Sequence, residues 1–158
     1  MDNPTITAKV KENYWQYNHN CATTTLRIFA EHTAIELSPE VFAAAVGMHG
    51  AGGYGAQCGL VEGALMFLGI LGRRQQLSDQ EIARLCHRYG ADFTATFSSL
   101  LCRELRPEGF HDEQEPHLCQ ELTCRAIAFG IDFLERFLMV EDSEATSQQQ
   151  SPTTGERQ

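Results

Sequence analysis

An all-α fold, a compact bundle of five or six helices, is what this chain of 158 residues predicts. Apolar residues recur at the i, i+3, i+4 spacing that lays one face of a helix on a core. Helix-start signals stand before several of these runs: Asn20, then Ser38-Pro39-Glu40, then Ser78 with Glu81 three residues on. No strand-rich run and no internal repeat interrupts them. With 42% apolar residues the chain has enough material for one buried core, expected over residues 1–140 as a single helical domain.

The first helix is expected over Thr5–Tyr17, with Val10, Tyr14 and Tyr17 on one side and a stop at Asn18-His19-Asn20. Asn20 caps the second, which runs to about His32 and holds Cys21 in its first turn. Ser38-Pro39-Glu40 opens a short third helix ending by Gly47. A glycine-rich loop follows, with five glycines in the nine residues from Gly47 to Gly55. It leads into a fourth helix, Ala56–Leu71, stopped by Gly72. A fifth starts at the capping box Ser78–Glu81 and carries Leu85, Tyr89, Phe93, Phe97, Leu100 and Leu101 up to Pro107. Glu115-Pro116 opens the last, which ends near Val140 with Leu122, Phe129, Phe133 and Phe137 on its apolar side. Residues 141–158 are Ser/Thr/Gln-rich with Ala145 as their one apolar residue, so a disordered polar tail is expected there.

The formal net charge of −9 argues against nucleic-acid binding. The apolar peak Gly63–Gly72 is far shorter than the ~20 residues of a membrane span, so no membrane insertion is expected. Met1–Val10 has Asp2, Pro4 and Lys9 and no apolar stretch of signal-peptide type, which gives a cytoplasmic expectation, where structural disulfides are rare.

Six cysteines and the glycine loop carry the chemistry. No CxxC and no HExxH is present, so any cluster must be assembled by folding. The loop lacks the Gly-Lys-Ser/Thr of a phosphate-binding loop and the preceding strand of a dinucleotide fold. Gly52, Gly53 and Gly55 at its end, and Gly59 and Gly63 in the helix behind it, are the candidate ligand-approach positions. Gly59 and Gly63 share a face almost without side chain, suited to tight helix packing, to room beside a thiol, or to both.

Cys21, Cys58 and Cys119 each fall in the opening turn of an expected helix. For Cys58 this predicts a lowered thiol pKa and an attacking role. Glu62, one turn on, is either solvent-facing or a proton acceptor for the site. Cys102 falls near the end of the fifth helix, on the stripe Ala91, Ala95, Ser98, which suits a resolving thiol of higher pKa. Cys86 and Cys124 lie on apolar stripes and read as core filling. His49, beside the loop, is a lesser candidate.

The order Cys21, Cys58-Gly59-Leu60-Val61-Glu62-Gly63, Cys102, Cys119 resembles a bacterial and archaeal family described as redox-active, with four separated cysteines and a CGAxxG motif. The segments NCATTTL and FSSLLCREL also look like family elements, and the likeness runs from about Asn20 to Leu138. Leu60 stands where the motif has alanine. The resemblance implies that Cys21, Cys58, Cys102 and Cys119 are the functional set and that the role is redox or metal-linked.

Three readings stand open on the sequence. The first is thiol–disulfide or electron-transfer chemistry on the clustered thiols. The second is a four-cysteine site for a metal ion or an iron–sulfur cluster. The third is a non-enzymatic helical module that packs on a partner through its glycine face. The partners considered are a redox partner protein, a small-molecule thiol, or a second copy of the chain as a homo-oligomer.

Overall fold

The structure is a computed structural model that describes residues 1–106 and 117–149. Asp2 caps the first helix by accepting a hydrogen bond from the Thr5 amide at 3.0 Å, and Pro4 sits in its first turn. Helix α1 covers Asn3–Lys11, and Glu12–Gln16 continue it as a π turn. The wider turn changes the register, so Ile6, Val10 and Tyr14 are buried while Tyr17 is exposed. The expected α-helix to Tyr17 is therefore shorter, and its last apolar position faces out. Asn18, at φ 50°, makes the left-handed stop that asparagine tolerates.

Helix α2 covers Cys21–His32, and the Asn20 side chain caps it by accepting from the Thr23 amide at 2.8 Å. Helix α3 is Pro39–Ala44, with a 3-10 turn at Ala45–Gly47. Gly50–Gly53 closes one more turn, but Ala51 and Gly52 sit at φ 55° and 67°, so it is no regular helix. Helix α4 covers Gly59–Arg74 and α5 covers Asp79–Phe97. Helix α6 is the short Cys102–Leu105, and α7 runs Gln120–Gln149. The described residues thus hold seven α-helices rather than five or six. The surplus comes from α6, which is separate from α5. The β content among them is a single antiparallel bridge, Gln57 with Leu101.

Several boundaries differ from expectation. Gly72 lies inside α4 instead of ending it. A Cβ at Gly72 would come within 2.7 Å of Ile82 Cγ1, so this glycine serves close packing of α4 on α5. Helix α5 ends at Phe97 because Ser98 takes the left-handed conformation at φ 73°. Helix α7 passes the expected stop near Val140 and continues to Gln149. The expected helix opening at Glu115-Pro116 and residues 150–158 of the expected tail lie outside the described residues. The capping box at Ser78 forms as the spacing predicts.

Helices α2, α4 and α7 meet at the centre and α5 covers α4. Phe29 of α2 packs edge-on against Phe67 of α4, with ring centroids 5.6 Å apart. Tyr89 of α5 stands edge-on to Phe129 and Phe133 of α7 at 5.5 and 5.1 Å. Phe29, Phe67 and Phe133 are buried, and each contributes about 1.5–3 kcal/mol of transfer free energy. Helices α2 and α4 cross at the glycine face. A Cβ at Gly63 would lie 2.6 Å from the Ala22 carbonyl oxygen, so only glycine lets the two backbones approach this closely.

Candidate functional site

Four helix starts meet at one end of this crossing, and each carries a cysteine. Cys21 is the first residue of α2. Cys58 is the N-cap of α4, its carbonyl accepting from the Glu62 amide at 3.0 Å. Cys102 is the first residue of α6. Cys119 precedes α7 and its carbonyl accepts from the Thr123 amide at 2.7 Å. The expected position of Cys102 at the end of the fifth helix is corrected: it begins a new helix after the turn at 98–101. Ser99 anchors that turn, its hydroxyl donating to Glu104 at 2.5 Å and accepting from the Leu101 amide at 3.0 Å.

The short bridge explains how Cys58 meets Cys102. The Cys58 amide donates to Leu100 O at 2.8 Å and the Cys102 amide to Ala56 O at 2.7 Å. Gln57 faces Leu101 across the bridge, so each cysteine follows a bridge residue. Side chains alternate along extended backbone, which puts Cys58 and Cys102 on the same face as diagonal neighbours. Their thiols act on each other's acidity, each being the largest influence on the other. Both are buried, 4% and 6% exposed. The Cys21 sulfur lies against Gly59, where a methyl would overlap it, and it feels the charges of Cys102 and Cys119. Cys119 in turn feels Cys102 and Arg106. The four positions singled out in the sequence are thus brought together, and all four are free thiols.

Their acidities differ from the helix-start expectation. The Cys58 thiol is pushed far up, first by the neighbouring Cys102 thiol, then by burial. Cys102 is held below the ordinary thiol value. The Cys58 thiol is the main cause, and the Arg106 guanidinium assists, against burial and the Glu62 charge. Burial pushes Cys21 up to about 12 and raises Cys119 as well. The expected lowered pKa at Cys58 is therefore overturned, and the low-pKa thiol is Cys102. Desolvation and a specific sulfur partner outweigh the helix dipole here.

Glu62 is half-buried, and its Oε2 has no hydrogen-bond partner. Burial raises its pKa while the facing His49 lowers it. Its charge reaches Cys102. Of the loop glycines, Gly52, Gly53 and Gly55 all have positive φ, from 67° to 92°. Gly52 and Gly53 have open space around them and touch no thiol. Gly50, two residues earlier, is the one that abuts the site: a Cβ there would lie 3.1 Å from Cys102 Cβ. Gly59 makes room for the Cys21 sulfur, and Gly63 for the Ala22 backbone. Cys86 and Cys124 are partly buried and packed against the core.

Sequence reasoning missed Arg106 and Tyr14. Arg106 lies four residues after Cys102, a spacing that was available as a signal. Tyr14 reads as a core residue, and its hydroxyl does pair with Thr123 Oγ1 at 2.7 Å. Yet it also borders the thiols. Burial raises its pKa well above the ordinary value, and charges at Cys21, Cys119 and Cys58 add to this.

The metal or iron–sulfur cofactor expected as one reading is not supported by this arrangement. Among the described residues, no group of three or more His, Cys, Asp or Glu side chains is placed to hold a metal ion. A four-thiolate centre needs its sulfurs about 2.3 Å from one point. Here Cys58 and Cys102 pair with each other, while Cys21 and Cys119 interact with them at the range of charges. Among the described residues no helix is long and apolar enough to cross a membrane.

Neither a curated protein nor a solved structure matches the chain. A family model does, over residues 19–131, and its description is "Putative redox-active protein (C_GCAxxG_C_C)". That span covers well over half of the chain and includes all four helix-start cysteines, so the chain belongs to this family, whose function is redox-active and cysteine-based.

Proposed function

We propose that the protein performs thiol–disulfide exchange, with Cys102 as the entering thiolate and Cys58 as the resolving thiol. The observation that carries this reading is the Gln57–Leu101 bridge, which sets Cys58 and Cys102 side by side on one face, with the Cys58 thiol as the main influence that lowers Cys102. A thiol that donates to its neighbour stabilises that neighbour as a thiolate, and the thiolate is the nucleophile. This reverses the order expected from the sequence, in which Cys58 attacks.

The electrons balance as a two-electron exchange. The Cys102 thiolate attacks one sulfur of a substrate disulfide. A mixed disulfide forms and the substrate's second sulfur leaves as a thiolate, which takes a proton from solvent. The Cys58 thiol then gives its proton to the Glu62 carboxylate and attacks the Cys102 sulfur. A Cys58–Cys102 disulfide forms and the remaining substrate thiolate leaves. The substrate disulfide is reduced and the pair oxidised, and a dithiol reductant resets it by the reverse steps. Cys21 and Cys119 stay protonated at neutral pH because burial holds their thiols up. They are the adjoining thiols to which the disulfide can pass. Substrates of this class are a partner protein or a small-molecule disulfide.

The test is the reaction of the reduced protein with the neutral disulfide 4,4′-dithiodipyridine. The native chain gives one fast thiol. Cys102→Ser removes the fast phase, and Cys58→Ser keeps it but accumulates the mixed disulfide. A fast phase that survives Cys102→Ser contradicts the assignment.

A further inference from the structure

We propose that the cavity between the start of α2 and the loop after α3 is the docking subsite for the carboxylate of a small acidic disulfide substrate. The inference rests on the exchange chemistry above and names the class of substrate it takes. The cavity measures about 420 Å³ and includes His19, Asn20, Thr23, Arg27, Phe42 and His49 in its wall. It has no carboxylate in its lining, in a chain whose formal net charge is −9. Two other cavities place aspartates beside their cations, Asp132 with Arg125 and Asp92 with Arg88 and Arg136.

Arg27 is the anchor. Its guanidinium lies over the Phe42 ring, 4.5 Å from the centroid, a cation–π contact on an otherwise exposed side chain. Among the described residues no carboxylate pairs with it. Its charge is felt by His19, where burial and then Arg27 favour the neutral ring.

The cavity adjoins the thiols through one short segment. His49 lines it and also faces Glu62. The next residue, Gly50, packs its backbone against Cys102, and the Met48 carbonyl packs against Gly59 beside Cys21. The cavity and the thiols therefore share the 48–50 segment, and a molecule held by its carboxylate on Arg27 has its remainder beside that segment.

Two measurements test this. The first is a calorimetric titration with S-methylglutathione, which carries carboxylates and no exchangeable sulfur. The unaltered protein binds it, Arg27→Gln weakens binding about tenfold, and Arg27→Lys weakens it less. No binding to the unaltered protein, or equal binding to Arg27→Gln, overturns the proposal. The second is the exchange rate with glutathione disulfide against neutral 2-hydroxyethyl disulfide. Arg27→Gln slows the first about tenfold and leaves the second within twofold. An equal effect on both overturns the proposal as well. Binding of S-methylglutathione without exchange on either disulfide would instead remove the exchange reading and leave the anion site standing.

Discussion

A carboxylate and a guanidinium pull on the Cys102 thiol in opposite directions. Glu62 raises its pKa and Arg106 lowers it, while the Cys58 thiol outweighs both. Removing the carboxylate charge by Glu62→Gln should shift the pH profile of Cys102 alkylation to lower pH and speed the reaction below its midpoint. Arg106→Gln should shift it to higher pH. Iodoacetamide rates between pH 5 and 9 read both, and shifts in the same direction contradict the account. Glu62 also makes stability depend on pH. Its carboxyl is held above the ordinary value by burial. The stability this gives is present below the unfolded carboxyl pKa and is lost as pH rises through the folded value. Glu62→Gln imitates the protonated form, so it should be more stable than the native chain at pH 7 and equal to it at pH 4. The group is half-exposed and screened, so the gain is about 0.5 kcal/mol or less. Thermal melts at the two pH values check it.

At the scale of elements, two glycines of α4 predict opposite outcomes. A methyl at Gly63 presses on the Ala22 backbone, 2.6 Å from its oxygen and 3.0 Å from its Cα. Backbone cannot rotate away as a side chain can, so Gly63→Ala should cost about 1–3 kcal/mol. Gly69 has open space where its Cβ would be, so Gly69→Ala should gain up to about 1 kcal/mol in helix propensity. Urea unfolding distinguishes the pair. If both stabilise, the helix crossing is not as tight as described. The same helices show what the chain discloses of its fold. Asn20, Ser38-Pro39 and Ser78–Glu81 are local devices, and their helices start where the spacing predicts. Gly72 misled because a glycine that ends a helix and one that admits a neighbour look alike until Ile82 is seen against it. The break after Phe97 was hidden for a different reason. It is made by a serine in the left-handed conformation, inside an apolar run that Leu100 and Leu101 continue. Missing that break placed Cys102 at a helix end and so inverted the expected thiol acidities. The set of four cysteines was legible through the family resemblance. Their ranking was not, because burial and the influence of one thiol on the other exist only after α4 and α6 meet.

For the whole molecule, the core is what keeps most of the thiols quiet. Cys21 and Cys119 are raised chiefly by burial, and Cys58 by the Cys102 thiol and by burial. Of the six cysteines, only Cys102 should react quickly in the native protein at pH 7, and all six should react together in denaturant. The count of fast thiols with and without guanidinium chloride measures this. Two or more fast native thiols would mean the site is more open than its burial indicates. The measurement that bears most directly on the central claim is disulfide mapping by mass spectrometry of the full, unaltered chain after one equivalent of a neutral disulfide oxidant. The account predicts one intramolecular disulfide, loss of two hydrogens, and a cross-link joining the peptides of Cys58 and Cys102. A first-formed cross-link through Cys86 or Cys124, or an oxidised chain without any internal disulfide, would contradict it.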